Sequence, residues 1–246
     1  MRVNITTHKN ILIKILKDIY TDSSLGPFLG FKGGTAAYLF YSLNRFSVDL
    51  DFDLLNETKE QEVFEKVEKI AGKYGRVKDK INKGHTLFIL LFYSEEAQNI
   101  KIEINKRCFG SQYEVRNYLG ISMLVMRSED MFAHKLVAMT ERRKIANRDI
   151  FDTYFFLKSD WEINREIVEQ RTKTSFANYL KRCIDFLEDK SERGILFGMG
   201  ELINEKQKSW VKSKLKKETI FLLKLMLENE KNKGKVKGSD LNILLY

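Results

Sequence analysis

Three aspartates stand at alternate positions in the run Ser47–Asp53: Asp49, Asp51 and Asp53, with Val48, Leu50 and Phe52 between and before them. Successive side chains of a strand point to opposite faces, so the acids share one side and the hydrophobes the other. Carboxylates in a row repel one another, and a divalent cation is their usual compensation. Upstream, Lys32, Gly33, Gly34 and Thr35 form a glycine turn at a helix start, where bare backbone N–H groups suit an anion. Downstream, the alternating segment Ile100–Lys106 sets Glu103 among isoleucines. If these strands are neighbours, Asp49, Asp51 and Glu103 converge and can hold two divalent ions for in-line phosphoryl transfer. Asp49 and Asp51 would ligate the metal, while Glu103 completes the set or accepts the nucleophile's proton. Asp53 lies one step further along and is left to steady the turn. The plainer reading, an exposed sheet face with solvated acids, would suffice for a lone Asp-x-Asp. The glycines before it and Glu103 after it argue instead for a metal–triphosphate site.

In that site the backbone of Gly33 and Gly34 and the Thr35 hydroxyl would cradle phosphates, with Lys32 adding charge. Arg45 and Ser47, just upstream of the acids, either bind phosphate or hold the loop. A third constellation lies further on: Lys135 within AHKLVAM, where an unpaired lysine is costly, then Arg148, Asp149 and Asp152. The two aspartates are three apart and neighbour each other on one helix face. Either Lys135 neutralises triphosphate charge while Asp149 or Asp152 orients it, or the set is an interdomain salt bridge. His8, His85 and His134 have no metal-ligand spacing and are read as structural or surface residues.

The elements that must position these groups follow from periodicity. Ile11, Leu12, Ile15, Leu16 and Ile19 predict an amphipathic helix over 9–22. A loop with the single proline leads to a strand at Phe28–Phe31, a helix at Thr35–Leu43 and the aspartate strand Ser47–Asp53. Asn56 is the expected cap of a helix through Tyr74, with Gly75 just past its end. Strands are expected at Arg76–Ile81, His85–Tyr93 and Ile100–Lys106, then loop plus a short strand at Ile121–Val125. After Met126 helices dominate: one capped by Ser128, one capped by Asn147, and others at 161–170, 176–189, 195–208 and 210–230. Glu230–Ser239, rich in lysine and glycine, reads as a mobile link to the apolar end LNILLY. The organisation is a mixed α/β domain over 1–125, then a helical domain over 126–246 that completes the cleft.

With 246 residues the chain can bury a sizeable core. Its net charge of +9 permits a polyanionic partner, nucleic acid or nucleotide, although a lysine-rich source proteome gives the same balance. Cys108 and Cys183 are far apart and form no CxxC, as expected of reduced cytosolic thiols. The N-terminus lacks a signal-peptide core and no apolar run reaches membrane-spanning length, so a soluble cytoplasmic protein with no membrane partner is expected.

The segments KGGTAAYLFYSLNRFSVDLDFD, AHKLVAM and RDIFDTYFF, together with the Glu103 strand, resemble the AbiEii-type nucleotidyltransferase toxins. These are the toxin half of bacterial type IV toxin–antitoxin systems, within the DNA polymerase β-like nucleotidyltransferase superfamily. The resemblance runs from about Gly30 to Leu157, and the helical tail is similar only in class. It implies an α+β fold: a polymerase β-like mixed-sheet domain followed by a helical C-terminal domain. The family's glycine–Thr/Ser motif matches Gly33, Gly34 and Thr35, and its DxD matches Asp49 and Asp51. Its basic helix position matches Lys135, and its Arg-Asp-x-x-Asp motif matches Arg148, Asp149 and Asp152. The resemblance further implies magnesium-dependent transfer of a nucleotidyl group from an NTP, an acceptor that is tRNA in some members, and a cognate antitoxin. Two other readings are a two-metal nuclease, which has no need of a triphosphate cradle, and a non-catalytic nucleotide- or RNA-binding module, which has no need of the full carboxylate set.

Overall fold

Asn4 opens the first helix, its Oδ1 accepting from the Thr7 N–H at 3.1 Å. This helix, α1 (Ile5–Thr21), buries His8, Leu12, Ile15, Leu16 and Ile19, a stripe at helical spacing that packs on the sheet. The chain is described here from a computed structural model over residues 4–95, 98–142 and 146–240, with 233–240 described by backbone alone. Pro27 sets the 3-10 turn Gly26–Phe28, and the chain enters β1 (Leu29–Lys32) and then α2 (Gly33–Phe40). After β2 (Leu50–Leu54), Asn56 caps a 3-10 turn that runs into α3 (Glu60–Gly72). The remaining strands are β3 (Arg76–Lys83), β4 (Thr86–Phe92), β5 (Ile100–Asn105), β6 (Tyr113–Tyr118) and β7 (Ile121–Met126).

All seven form one mixed sheet in the order β3-β4-β5-β2-β1-β7-β6. The two acid strands are therefore direct neighbours: β2 runs parallel to β5, with Asp51 opposite Glu103 and Asp53 opposite Asn105. β1 is antiparallel to β2 on its other side, setting Lys32 opposite Asp51. Alternation in β4 and β5 sends Leu87, Ile89, Leu91, Ile100, Ile102 and Ile104 into the core, where Phe31 and Phe52 meet at 5.3 Å between ring centres.

The helical part holds α4 (Ser128–Glu141), α5 (Asn147–Lys158), α6 (Arg165–Thr172), α7 (Phe176–Asp189), α8 (Glu205–Trp210) and α9 (Lys216–Asp240), with a π-helical turn Val211–Leu215 joining the last two. The chain divides into two compact units, Met1–Met131 with Glu201–Ile203, and Phe132–Gly200 with Asn204–Tyr246. The division falls inside α4, whose first turn is tied to the sheet: the Asp130 carboxylate accepts from the Gln112 N–H at 2.6 Å. Glu201–Ile203 returns to the first unit, where the Leu202 carbonyl accepts from the Phe46 N–H at 2.8 Å and its side chain packs with Phe46 and Val48.

Several expected elements shift. The aspartate strand begins at Leu50, not Ser47, since β1 gives way to α2 after Lys32 and offers no ladder partner beyond Asp51. β6 was expected to be loop; its half-exposed polar face hides it from periodicity. Ala146, not Asn147, occupies the cap position of α5, and the Asn147 amide donates instead to the Gly194 carbonyl at 2.9 Å. No helix spans 195–203: Gly194 and Gly198, at φ of 71° and 72°, turn the chain, and α8 starts afresh at Asn204 with a capping box to Gln207. The segment expected as a mobile link continues α9 as helix to Asp240, and LNILLY lies outside the described residues. Among the described residues no helix is long and apolar enough to cross a membrane.

Candidate active site

Gly33 begins α2 at a φ of 78°, in the left-handed region that disfavours side chains. A Cβ there would run into the Asp51 carboxylate and lie 2.8 Å from its Cβ and Cγ. At Gly34 a Cβ would come within 2.7 Å of Ser47 Oγ and 2.9 Å of Arg45 Nη2. The glycine pair is thus what lets the helix start pass directly over the acid strand and its polar loop. The Lys32 side chain makes no cap hydrogen bond to α2, and the first-turn N–H groups of a helix have no intrahelical acceptor.

The loop behind the turn is held by buried polar contacts. Thr35, fully buried, donates its hydroxyl to the Asp49 carbonyl at 2.5 Å, so this proton fixes the acid loop rather than awaiting a phosphate. Arg45 is 3 % exposed and donates to the Phe46 carbonyl at 2.9 Å. Ser47 and Asp49 are also buried, whereas Asp51 is half-buried and Glu103 exposed beside it. Lys32, expected to add charge to the turn, is paired with Asp53 at 2.5 Å. Asp53 also accepts from the Asn105 amide at 2.9 Å and the Tyr113 hydroxyl at 2.5 Å. Burial and the adjoining Asp53 charge push the Tyr113 phenol far above its ordinary range, keeping it a proton donor. Asp53 is therefore the knot joining β1, β2, β5 and β6, a larger role than steadying a turn.

One residue that sequence reasoning set aside belongs to this arrangement. His8 is fully buried, with Nε2 2.9 Å from the Val48 carbonyl and Nδ1 2.7 Å from the Tyr93 hydroxyl. A carbonyl can only accept, so Nε2 carries the proton and the tyrosine donates to Nδ1. Burial lowers the imidazole pKa, opposed by the Val48 carbonyl and the Asp49 charge, so His8 is held neutral. Its signal was present in the chain: His8 lies four residues before Leu12, on the same stripe that predicts α1.

In the helical unit, Lys135 Nζ lies 3.2 Å from Asp149 Oδ1 and 2.8 Å from Asp152 Oδ2, while Arg142 Nε lies 2.9 Å from Asp149 Oδ2. Both aspartate side chains are completely buried, and Arg148, just before Asp149, is half-buried. This set brings α4 and α5 together through four charges. Desolvation and mutual attraction are both large here, and losing one partner leaves an uncompensated buried charge.

The chemistry of the donors in the sheet unit suits a hard divalent cation: carboxylate oxygens from Asp49, Asp51 and Glu103, with the bare Gly33 leaving room beside Asp51. Among the described residues, no three or more His, Cys, Asp or Glu are gathered into a ready-made metal cage.

A family model described as "Nucleotidyl transferase AbiEii toxin, Type IV TA system" matches residues 14–220. Among solved structures, the chain is similar to a Helicobacter pylori protein to which a nucleotidyltransferase role is ascribed, at 20 % identity and a TM-score of 0.62, covering 94 % of this chain and 98 % of that one. It is also similar to JHP933 from Helicobacter pylori, at 22 % identity and a TM-score of 0.57, covering 98 % of both chains. At these identities the likeness concerns the fold. No curated protein matches the chain.

Proposed function

We propose that this chain, which belongs to the AbiEii family of type IV toxin nucleotidyltransferases, transfers a nucleotidyl group from an NTP to an RNA hydroxyl, with tRNA as the acceptor class. A cognate antitoxin is proposed to counter it. The observation that carries this reading is the contact between Gly33 and the Asp51 carboxylate, which joins an anion-binding helix start to an acid strand with no side chain between. The first-turn N–H groups of α2 bind the phosphates. Arg45, whose guanidinium lies against Gly34, adds fixed positive charge beneath them, and Ser47 adds a hydroxyl.

Asp49, Asp51 and Glu103 are the residues proposed to hold magnesium, two ions in the full site. This ion is commonly bound through one or two carboxylates plus substrate phosphates. When bound, magnesium supplies charge neutralisation on the triphosphate. Glu103, exposed beside Asp51, accepts the proton of the acceptor hydroxyl as that oxygen attacks the α-phosphorus. The new O–P bond forms as the α–β phosphoanhydride breaks, and pyrophosphate leaves. Thr35, His8 and Asp53 hold the strand and loop in place, so that catalysis is positioning plus charge.

The test is incubation with each of four labelled NTPs, magnesium and total bacterial tRNA. Label on RNA from at least one NTP, lost in Asp51→Asn, is the expected result. No label from any NTP overturns the RNA-acceptor reading, and calorimetry showing no magnesium-dependent NTP binding overturns the nucleotide site itself.

A further inference from the structure

Between Glu205 and Lys217 the chain carries six lysines against a single glutamate, all on the continuous helical segment from α8 through the π turn into α9. The apolar side of this segment is occupied: Val211, Leu215, Thr219 and Leu223, at intervals of four, are all buried. The lysines fall on the other side. Glu205 is taken by Lys208 at 2.6 Å, and Lys216 donates to the carbonyls of Glu188 and Lys190. Lys206, Lys212, Lys214 and Lys217 are exposed, and none forms an ion pair among the described residues. Four exposed ammonium groups along one helical segment raise the local positive potential, and a polyanion is the ligand that suits it.

An aromatic pair sits within this patch. Trp210, between Lys206 and Lys214 at intervals of four, packs on Tyr154 of α5 with ring centres 4.6 Å apart, and both rings remain partly exposed. Lys158 lies over the Tyr154 ring at 5.8 Å, bringing a further cation to it. Lysines interleaved with partly open aromatic rings are what a nucleic-acid strand engages: phosphates on the ammonium groups, bases or sugars on the rings.

We propose that this face of the helical unit, centred on Lys206, Trp210, Lys212, Lys214 and Lys217, docks the RNA acceptor. The inference rests on the RNA-acceptor reading given above and locates where that RNA is gripped. Phe221, exposed one turn beyond Lys217, makes an anionic lipid surface the competing ligand.

Labelled total tRNA, titrated with the full chain at several salt concentrations and read by fluorescence anisotropy, tests it. The comparison is with Lys206→Gln, Lys212→Gln, Lys214→Gln and Lys217→Gln combined, all exposed positions whose replacement leaves the core untouched, and with the same four changed to Arg. Each lost phosphate contact removes about 0.7–0.9 from the slope of log affinity against log salt, so the Gln variant is expected to lose about 3 in slope and at least ~30-fold in affinity. The Arg variant is expected to keep both. Unchanged slope and affinity in the Gln variant overturn the proposal, as does wild-type binding to 30 % phosphatidylserine vesicles without binding to tRNA. Calorimetry with NTP runs alongside. Intact NTP binding with no tRNA binding sinks this surface and spares the nucleotide site, whereas tRNA binding lost only in the Gln variant, without any NTP binding, supports the surface and sinks the nucleotide site.

Discussion

The two clusters of buried or half-buried charge differ in what stands opposite each acid. In the helical unit two cations, Lys135 and Arg142, close on Asp149 and Asp152 within 3.2 Å, and both carboxylates are shielded from solvent. In the sheet unit Lys32 is committed to Asp53, and Asp51 stands opposite Glu103 on the neighbouring strand. Like charges at directly paired positions weaken a sheet, whereas a matched buried set fastens the elements that supply it. The like-charged pair lies beside the Gly33 turn, where a Cβ would run into the Asp51 carboxylate.

Substitutions can break that contrast or sharpen it. The largest effect is expected at Lys135→Ala, which removes the cation shared by two buried carboxylates and should cost about 3–5 kcal/mol in urea unfolding. A loss below about 1 kcal/mol would show the helical cluster is not the fastening it is taken to be. Asp51→Asn should act in the opposite sense, lowering nucleotidyl transfer at least ~100-fold, about 3 kcal/mol of transition-state stabilisation, without lowering the melting temperature of the metal-free protein. Parallel loss of stability and activity would move Asp51 into the structural class.

His8→Ala removes a buried donor to Val48 and an acceptor for Tyr93, and should cost about 1–3 kcal/mol. His8 also carries a pH signature. Its folded pKa is lowered from the ordinary value of 6.5, so the unfolded chain binds the proton more readily. This contribution is complete above about 6.5 and is lost as pH falls from there through the folded pKa. His8→Gln should flatten that part of the stability–pH curve; an unaltered curve would remove His8 from the account. The smallest effect is expected at Glu103→Gln, which relieves the like-charge pair and should stabilise the metal-free protein by about 0.2–1 kcal/mol. Magnesium should then raise the melting temperature of the wild type more than that of the variant.

Much of the site was legible because it is local. Gly33, Gly34, Asp49 and Asp51 lie within one turn–helix–strand unit, and their spacing alone brings glycine turn and acids together. Glu103 was legible through alternation, which the parallel pairing of β2 with β5 then placed beside Asp51. What escaped was mostly a matter of distant partners. Asp53 reads as an acid that only steadies the turn, yet Lys32, Asn105 and Tyr113 arrive from three other strands to make it a junction. Thr35 looks like a phosphate donor, yet its hydroxyl is spent on the Asp49 carbonyl. The helix expected over 195–208 forms only from Glu205, and for a different reason, since Gly194 and Gly198 take a left-handed conformation that periodicity does not register.

The sequence by itself determined which side chains share a face, where helices carry apolar stripes, and that acids recur among hydrophobes on two strands. Those are properties of backbone period, set by neighbours a few residues apart. Only the tertiary structure decided which charges are matched, because an ion pair depends on register and burial between segments tens of residues apart, and its strength on how far water has been excluded. Lys32 and Lys135 read alike as candidate phosphate ligands; strand order gave one to Asp53, and helix packing gave the other to Asp149 and Asp152.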